Sequence, residues 1–388
     1  MREEPVAGSG AVTLVAHEVG TPGGMERQLG ELVTGLLRRG RPVTLVAGAC
    51  SLPPQPGLRW VRVPGPRRPF SLWYVWFFAL GSLVVHVKRE GVLHTTGAVV
   101  ANRADLSTVH FCHRAFRARG RFSRARRRSP LYRLNAAVVA GLSRLAERYC
   151  YRPRVTRRLV AVSGGVAREL RGLFPAMAGS VSVVANGVDT SVFAPDPGAR
   201  GRLRDRWGVS EGELVALFVG GDWERKGLRH AIEGVAGAAG WQLVVVGDGD
   251  PGRYLHLADA AGAGGRVHFE GAARDTAHYY AAADGFLLPT AYETFSLVTF
   301  EAAASGLPLL VSRVSGVDEI LVDGRNGWFI DREGRMIADR LEALREDEQL
   351  RARLGKAARE DSARFTWAAA VEAYDRLYRD LRQPGARA

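Results

Sequence analysis

Four side chains in the C-terminal half have the types and spacing for work on a phosphorylated, hydroxyl-rich ligand. Arg225 and Lys226 stand in GGDWERKGLRH, residues 220–230, where an apolar run hands over to a helical pattern. The chain contains 51 Arg and three Lys, so a Lys kept beside an Arg at that junction asks for a reason. An ammonium is a compact point-charge partner for phosphate, and a guanidinium adds directional donors. Positive charge at a helix start opposes the helix dipole unless an anion is bound there, which makes a diphosphate the expected partner. Glu293 and Glu301 lie eight residues apart in AYETFSLVTFEAAASGLPLL, around the predicted start of another helix near Phe295. They are too far apart to form a touching pair but are spaced to reach different parts of one elongated ligand. A carboxylate accepts from two sugar hydroxyls at once. Taken alone, an ordinary helix with an acidic first turn is the better explanation of this stretch.

The N-terminal half offers weaker signals. Gly20, Gly23 and Gly24 in VGTPGGMERQ would let backbone approach a ligand without Cβ interference, although a plain βα loop explains them equally well. His110 and His113 fall at a strand end in STVHFCHRAF. His110 is placed to hydrogen-bond a sugar, with a satisfied core histidine nearly as good an explanation. On a strand the two rings would point to opposite faces, so no shared metal is expected.

One stretch, VVVGDGDPGRY, carries two competing motifs. Asp248-Gly249-Asp250 is a D-x-D of the metal–nucleotide kind. Gly247, Gly249 and Gly252 make a G-x-G-x-x-G between a strand and a helix, with Glu270 ending the next strand. That fingerprint supports an NAD-dependent oxidoreductase as a rival, but leaves Arg225, Lys226 and Glu293 without a role. The alternative places the nucleoside over the turn at Gly247–Asp250. A nucleotide-sugar epimerase or a catalytically idle relative would share the same architecture.

The elements that must position these residues are short apolar, β-branched runs alternating with helical patterns, the mark of parallel α/β sheets. Strands are expected at 11–18, 41–48, 92–97, 107–113, 158–163 and 181–187, then at 214–221, 241–249, 267–271, 285–290 and 307–312. Helices are expected at 25–39, 131–150 and 164–173, then at 227–238, 252–263, 274–283, 295–305 and 317–322. The Pro-containing stretch FAPDPGARG suggests a linker at 193–201 between an N-terminal domain, 1–192, and a C-terminal domain, 202–365. Each half reads as a doubly wound, Rossmann-like sheet, the two facing a central cleft, with a hinge between them. The last helical stretch, within 366–388, is placed as able to pack back on the N-terminal domain.

Charge divides unevenly. Residues 1–190 hold 29 basic against 10 acidic side chains, net +19, whereas residues 191–388 hold 25 against 30, net −5. The run RAFRARGRFSRARRR, Arg114–Arg128, has eight Arg and no acid. It is a solvated loop or a dock for an anionic membrane or acceptor. Nucleic acid is not expected, since no binding motif accompanies the charge and Phe116 and Phe122 are too few for a stacking platform. Three Cys without framework spacing point to reduced thiols, and the N-terminus shows no signal-peptide pattern. The apolar stretch 71–87 falls short of the ~20 residues of a membrane span and is expected as a buried or interfacial helix. A cytoplasmic protein, peripheral on the inner face of the membrane, follows from these features.

Taken together, GGMERQ, the strand-end His110, VSGGV (162–166), NGVD (186–189), RKG (225–227) and YETFSLVTFE (292–301) resemble the family-4 retaining glycosyltransferases of the GT-B fold. The resemblance covers nearly the whole chain and is most specific in the C-terminal half. It implies that Glu293 contacts the donor sugar and Glu301 the ribose. Arg225 and Lys226 would neutralise the diphosphate, aided by backbone at Thr294, Phe295, Ser296 and Leu297. Gly23, Gly24, Gly221 and Gly247 would complete the donor site, and His110, His113, Ser163 and Asn186 the acceptor site. One departure stands out: the family commonly has E-G-F-G where this chain has Glu293-Thr294-Phe295-Ser296. The implied reaction retains the anomeric configuration by front-side displacement, without metal or cofactor, the nucleotide sugar being a substrate. UDP-sugars are preferred over GDP-sugars because they are the commoner donors in the family. A glycan, a lipid-linked or a small-molecule hydroxyl would be the acceptor.

Overall fold

The computed structural model describes residues 10–20, 23–66, 68–118, 129–210, 212–273 and 275–382. They fall into two compact units. One takes the described residues up to Asn186 together with the helix from Trp367, and the other runs from Gly187 to Thr366.

In the first unit the described strands are β1 (Val12–Val19), β2 (Val43–Cys50), β3 (Leu58–Arg62), β4 (Val92–Thr96), β5 (Ala104–Val109), β6 (Thr156–Ala161) and β7 (Val181–Val183). They pair in parallel in the order β3-β2-β1-β4-β5-β6-β7. The accompanying helices are α1 (Gly24–Arg38), α2 (Phe70–Lys88), α3 (His113–Ala118), α4 (Pro130–Cys150) and α5 (Gly164–Leu173). Parallel strands need crossovers, and helices on both faces bury the sheet, which is why its central strands read as continuous apolar runs. On one face Leu29, Leu32, Val33 and Leu36 of α1 pack with Val12, Leu14 and Leu45. On the other, Trp73, Phe77 and Val85 of α2 pack with Val15, Val46 and Leu93.

The second unit opens with α6 (Pro197–Trp207), β8 (Leu214–Val219), the one-turn α7 (Trp223–Lys226), α8 (Leu228–Gly237), β9 (Trp241–Val246), α9 (Pro251–Ala260) and β10 (Val267–Gly271). It continues through α10 (Ala277–Ala282), β11 (Gly285–Leu288), α11 (Leu297–Ala304), β12 (Leu309–Val311), β13 (Gly327–Phe329), α12 (Gly334–Glu346) and α13 (Glu348–Ser362). The strand order is β10-β9-β8-β11-β12-β13, again parallel, and every residue of β8, β9 and β11 is buried. The order reverses between β1 and β4 in one sheet and between β8 and β11 in the other. Ligands of such sheets sit at the strand carboxyl ends beside this reversal.

The last helix, α14 (Trp367–Arg382), belongs to the first unit, where Ala370, Val371, Tyr374 and Tyr378 join the α1 face of the core. The Tyr378 hydroxyl lies 2.7 Å from Nδ1 of the buried His94, whose Nε2 lies 2.7 Å from Thr108 Oγ1. Tyr374 hydrogen-bonds the same Thr108 at 3.0 Å. Burial pushes the His94 pKa down to about 3, so the ring is a neutral bridge between strand and helix.

One expectation is corrected. The stretch 193–201 is not an open linker, because α6 begins inside it. Asp196 accepts from the Gly198 and Ala199 N–H groups and Pro197 takes the first helical position, so Asp-Pro here is a helix start rather than a break. Residues 71–87 are helical as expected, within α2: Trp73, Phe77, Gly81 and Val85 form one buried stripe, and the other faces are largely open, so of the two expected forms the wholly buried one does not apply. Among the described residues α2 is the one helix with the length and hydropathy of a membrane span.

Candidate functional site

In the second unit Arg225, Lys226 and Glu293 converge beside the β8–β11 reversal. After β8, Gly220 adopts φ +130°, and a Cβ there would collide with the Lys226 side chain lying across it. At the end of α7, Gly227 has φ +81°, and its Cβ would collide with the Pro289 carbonyl beyond β11. Two glycines thus press the basic turn against the segment that carries Glu293. Gly221, expected in the donor site, follows Gly220, and Gly220 is the residue whose missing side chain Lys226 uses.

The three charges form one cluster. Glu293 Oε1 accepts from Arg225 Nη1 at 2.9 Å, lies 3.3 Å from Lys226 Nζ, and is 3.3 Å from Thr290 Oγ1. Arg225 Nε reaches Asp222 at 3.1 Å. Burial works to raise the Glu293 pKa, but Lys226 and Arg225 outweigh it and hold the carboxyl below its ordinary 4.5. The expected conflict with a helix dipole does not arise in that form, since α7 is a single turn and two carboxylates stand against the cations.

Beyond Glu293 and Thr294 the backbone turns sharply. Ser296 has φ +68°, a left-handed conformation that glycine adopts without strain, and its hydroxyl is 2.8 Å from Thr299 Oγ1. Gly316 makes room for this turn, as a Cβ there would meet the Phe295 backbone. The helix α11 therefore starts at Leu297 rather than Phe295; Thr299 N–H donates to the Ser296 carbonyl at 2.9 Å, while the N–H groups of Leu297 and Val298 lie ahead of any carbonyl of the helix ladder. Glu301 is buried in α11, and its Oε2 accepts from the Tyr280 hydroxyl at 2.9 Å. Tyr280, in AHYYAA, carries no sequence signal of such a role.

The competing motifs are occupied by structure. β9 ends at Val246, short of the expected 249, and Asp250 caps α9 by accepting from Gly252 N–H. Gly247 has φ +147°, and its Cβ would collide with the Gly220 carbonyl, so it serves the packing of the β8 and β9 turns. Gly252 has only the Asp250 carboxylate near its Cβ position, not the strand contact that the third glycine of a dinucleotide fingerprint requires. Glu270 accepts from Trp207 Nε1 at 2.9 Å and Tyr279 OH at 3.1 Å and pairs with Arg206, leaving it unsuited to hold a ribose.

In the first unit, Gly20 has φ +76° after β1, Gly23 is the extended N-cap of α1, and Gly24 is its first residue. The strand carrying His110 is shorter than expected: β5 ends at Val109, where its pairing with β6 stops. His110 and His113 are therefore not on a strand with opposed rings. His113 opens α3, and both line one cavity of about 300 Å³ with His17, Phe70, Tyr74 and Glu147. Burial lowers the pKa of His17 and of His110 to about 4. His17 and Glu147 were not singled out from sequence; one His in a strand and one Glu in an Arg-rich helix give no pattern. Ser163 is fully buried and caps α5 by accepting from Val166 N–H at 3.2 Å, so it presents no open face to a ligand. Asn186 is also buried. Of the Arg-rich run, Arg114 stacks over Phe174 at 5.4 Å, and residues 119–128 lie outside the described set.

Comparison with known proteins adds six findings. The profile described as Glycosyltransferase Family 4 matches residues 22–192, and the one described as Glycosyl transferases group 1 matches residues 199–361. A D-inositol 3-phosphate glycosyltransferase of Xylanimonas cellulosilytica is 32% identical over 405 aligned positions, covering 92% of each chain. One of the same name from Corynebacterium diphtheriae is 33% identical over 216 positions, 52% of this chain and 51% of that one. Among solved structures, WaaG, a glycosyltransferase of lipopolysaccharide biosynthesis, superposes with a TM-score of 0.78 at 20% identity, covering 95% of this chain and 99% of that one. Anabaena HepE in complex with UDP-glucose superposes with a TM-score of 0.71 at 19% identity, again covering 95% and 99%.

Proposed function

Because the chain belongs to the family-4 glycosyltransferases of the GT-B fold, we propose that it moves a sugar from a nucleoside-diphosphate donor, UDP-linked by preference, to an acceptor hydroxyl with retention and without metal. The observation that carries this is the joint hold of Arg225 and Lys226 on Glu293 at the β8–β11 reversal. A diphosphate placed there meets two cations and the start of α11. Charge developing on the leaving oxygen is then stabilised by groups already in position. Glu293 accepts from sugar hydroxyls, and Glu301 from the ribose. The acceptor oxygen bonds to the anomeric carbon on the face from which the diphosphate departs, and the departing phosphate takes the acceptor's proton. No protein nucleophile is required.

A thermal-shift screen of the full chain against UDP, GDP, ADP, NAD and NADP, each with and without EDTA, tests the donor assignment. Stabilisation by UDP or GDP that survives EDTA supports it. Stabilisation by NAD alone would restore the dinucleotide alternative. Anomeric configuration of the product, read by NMR, tests retention.

The protein is further proposed to act in the cytoplasm at the inner membrane surface. Leu72, Val75, Trp76, Leu83 and Val87 of α2 and Leu131, Leu134, Val138 and Leu145 of α4 are exposed, an unusual apolar area for a soluble face. Arg148 and Arg152 border the groove of about 510 Å³ beside these helices, as suits anionic headgroups. Flotation that does not depend on acidic lipid would remove the electrostatic part of this proposal.

A further inference from the structure

The cavity in the first unit holds polar groups that the chain itself leaves unsatisfied. Glu147, on α4, is 2% exposed. Its Oε1 accepts from the His113 backbone N–H at 2.8 Å and faces His113 Nδ1 at 2.9 Å, which fixes the start of α3. Its Oε2 is shielded from solvent and has no hydrogen-bond partner. Around the same space, both ring nitrogens of His17 and Nε2 of His110 are shielded and unpartnered. A buried polar group left unsatisfied costs about 1–3 kcal/mol, so several around one cavity call for a ligand that supplies the missing partners.

The lining defines that ligand's chemistry. His17 and His110, with pKa values lowered to about 4 by burial, are neutral near pH 7, each offering one donor and one acceptor. Among the described residues no Lys or Arg lines the cavity. Phe70 and Tyr74 lie 5.8 and 5.7 Å from the His17 ring, giving an apolar wall for the C–H face of a small ring. The volume, about 300 Å³, is at the small end of ligand sites and suits one ring rather than a chain of them.

Taking the transfer reaction proposed above as given, we propose that this cavity receives the reacting ring of the acceptor and that Glu147 makes it selective for an uncharged, hydroxyl-bearing ring, a sugar or cyclitol, over one carrying phosphate. A ring hydroxyl donates to Oε2 and satisfies it. A phosphate brings acceptor oxygens and negative charge toward the same carboxylate, in a site shielded from water where repulsion is strong. The acceptor preference therefore departs from that of relatives named for D-inositol 3-phosphate.

Saturation-transfer NMR on the full chain, with UDP or GDP present, tests this. Neutral probes are methyl α-D-glucopyranoside, N-acetylglucosamine and myo-inositol, and charged probes are glucose 6-phosphate and D-inositol 3-phosphate. Wild type is expected to hold at least one neutral ring about tenfold or more tighter than its phosphorylated counterpart. Glu147→Gln keeps an oxygen for His113 and should bring that ratio toward one. Val139→Lys puts a cation at a half-buried position on the cavity wall and should shift the ratio toward the phosphorylated ring, even where Glu147→Gln does not fold. Equal or tighter binding of phosphorylated probes by wild type, binding of no neutral probe, or a ratio that neither variant moves would overturn the proposal. Retained UDP or GDP binding beside a failed ratio sinks the acceptor selectivity alone, whereas loss of nucleotide binding sinks the donor assignment.

Discussion

Lys226 Nζ and Glu293 Oε1 lie 3.3 Å apart, 67 residues distant in sequence and on turns that leave different strands. The contact joins the group suited to a diphosphate to the group suited to a sugar, with Arg225 reaching the same oxygen. Lys226→Met should lower kcat/KM about 100-fold or more, the usual effect of removing one preorganised charge from a leaving-group site. Steady-state kinetics with the donor found in the thermal-shift screen decides this. A loss below tenfold would mean that Arg225 carries the diphosphate alone.

Glu293→Gln should separate binding from chemistry. The amide keeps an acceptor for Arg225 but not the charge, so nucleotide affinity should stay near wild type while kcat falls. A variant that loses nucleotide binding instead would show that the carboxylate's main task is to hold the cations in place.

The same carboxyl predicts a pH effect on stability. Its folded pKa lies below 4.5 because Lys226 and Arg225 outweigh burial. Such a group adds stability that is fully present above its ordinary value of 4.5 and is lost as pH falls through the lower folded value. Wild type should therefore lose stability as pH falls below about 4.5, and Glu293→Gln should lack that part of the acid limb. Parallel urea titrations between pH 2.5 and 6 test this; superimposable slopes would contradict it.

Glu301→Ala should weaken nucleotide binding by about tenfold, or 1.4 kcal/mol. The substitution also removes the acceptor of the 2.9 Å hydrogen bond from the Tyr280 hydroxyl, so Tyr280→Phe is the necessary control. If Tyr280→Phe weakens the nucleotide as much as Glu301→Ala, the carboxylate acts through positioning of α10 and not through the ribose.

The parallel sheets were legible because LVALFV (214–219) and LVVV (243–246) are continuous apolar runs that each end at a glycine, the pattern of strands buried on both faces. The cluster of Arg225 and Lys226 with Glu293 was legible in part because a basic pair at a helix start is unusual, the more so in a chain so poor in Lys. Much of what holds them was not. Gly220 and Gly221 look alike in sequence, and only the path of the Lys226 side chain distinguishes them. Asp196-Pro197 serves equally well as a break or as a cap, and which one it becomes depends on what α6 packs against. Glu147 sits in RLAERYC like any solvated acid, and its burial follows from where α3 begins. Tertiary contacts decide each of these, and no local pattern records them.

Ser296 should tolerate glycine and reject a β-branched residue. Its φ of +68° strains any side chain, an expense of roughly 1 kcal/mol that glycine avoids. Glycine also loses the Thr299 contact and frees the unfolded chain, so Ser296→Gly should shift stability by no more than about 1 kcal/mol and retain activity. Ser296→Val should unfold earlier and lose transfer, because a branched side chain fits this region poorly. Wild-type melting behaviour in Ser296→Val would show that the turn relaxes without consequence.

Tyr378→Phe tests how α14 is tied to the first unit. Removing the hydroxyl leaves Nδ1 of the fully buried His94 without its 2.7 Å partner, while Nε2 keeps Thr108. An unsatisfied buried group costs about 1–3 kcal/mol. In a unit of this size each kcal/mol lowers Tm by about 2–4 °C. His94 is already neutral near pH 7, since burial holds its pKa near 3, so no change of charge should offset the loss. Donor binding, assigned to the second unit, should be unaffected. Differential scanning calorimetry with and without saturating nucleotide separates the two effects: Tm should fall in both conditions, with the nucleotide-induced increment preserved. An unchanged Tm would mean that the apolar contacts of Ala370, Val371 and Tyr374 hold the helix without the His94 bridge.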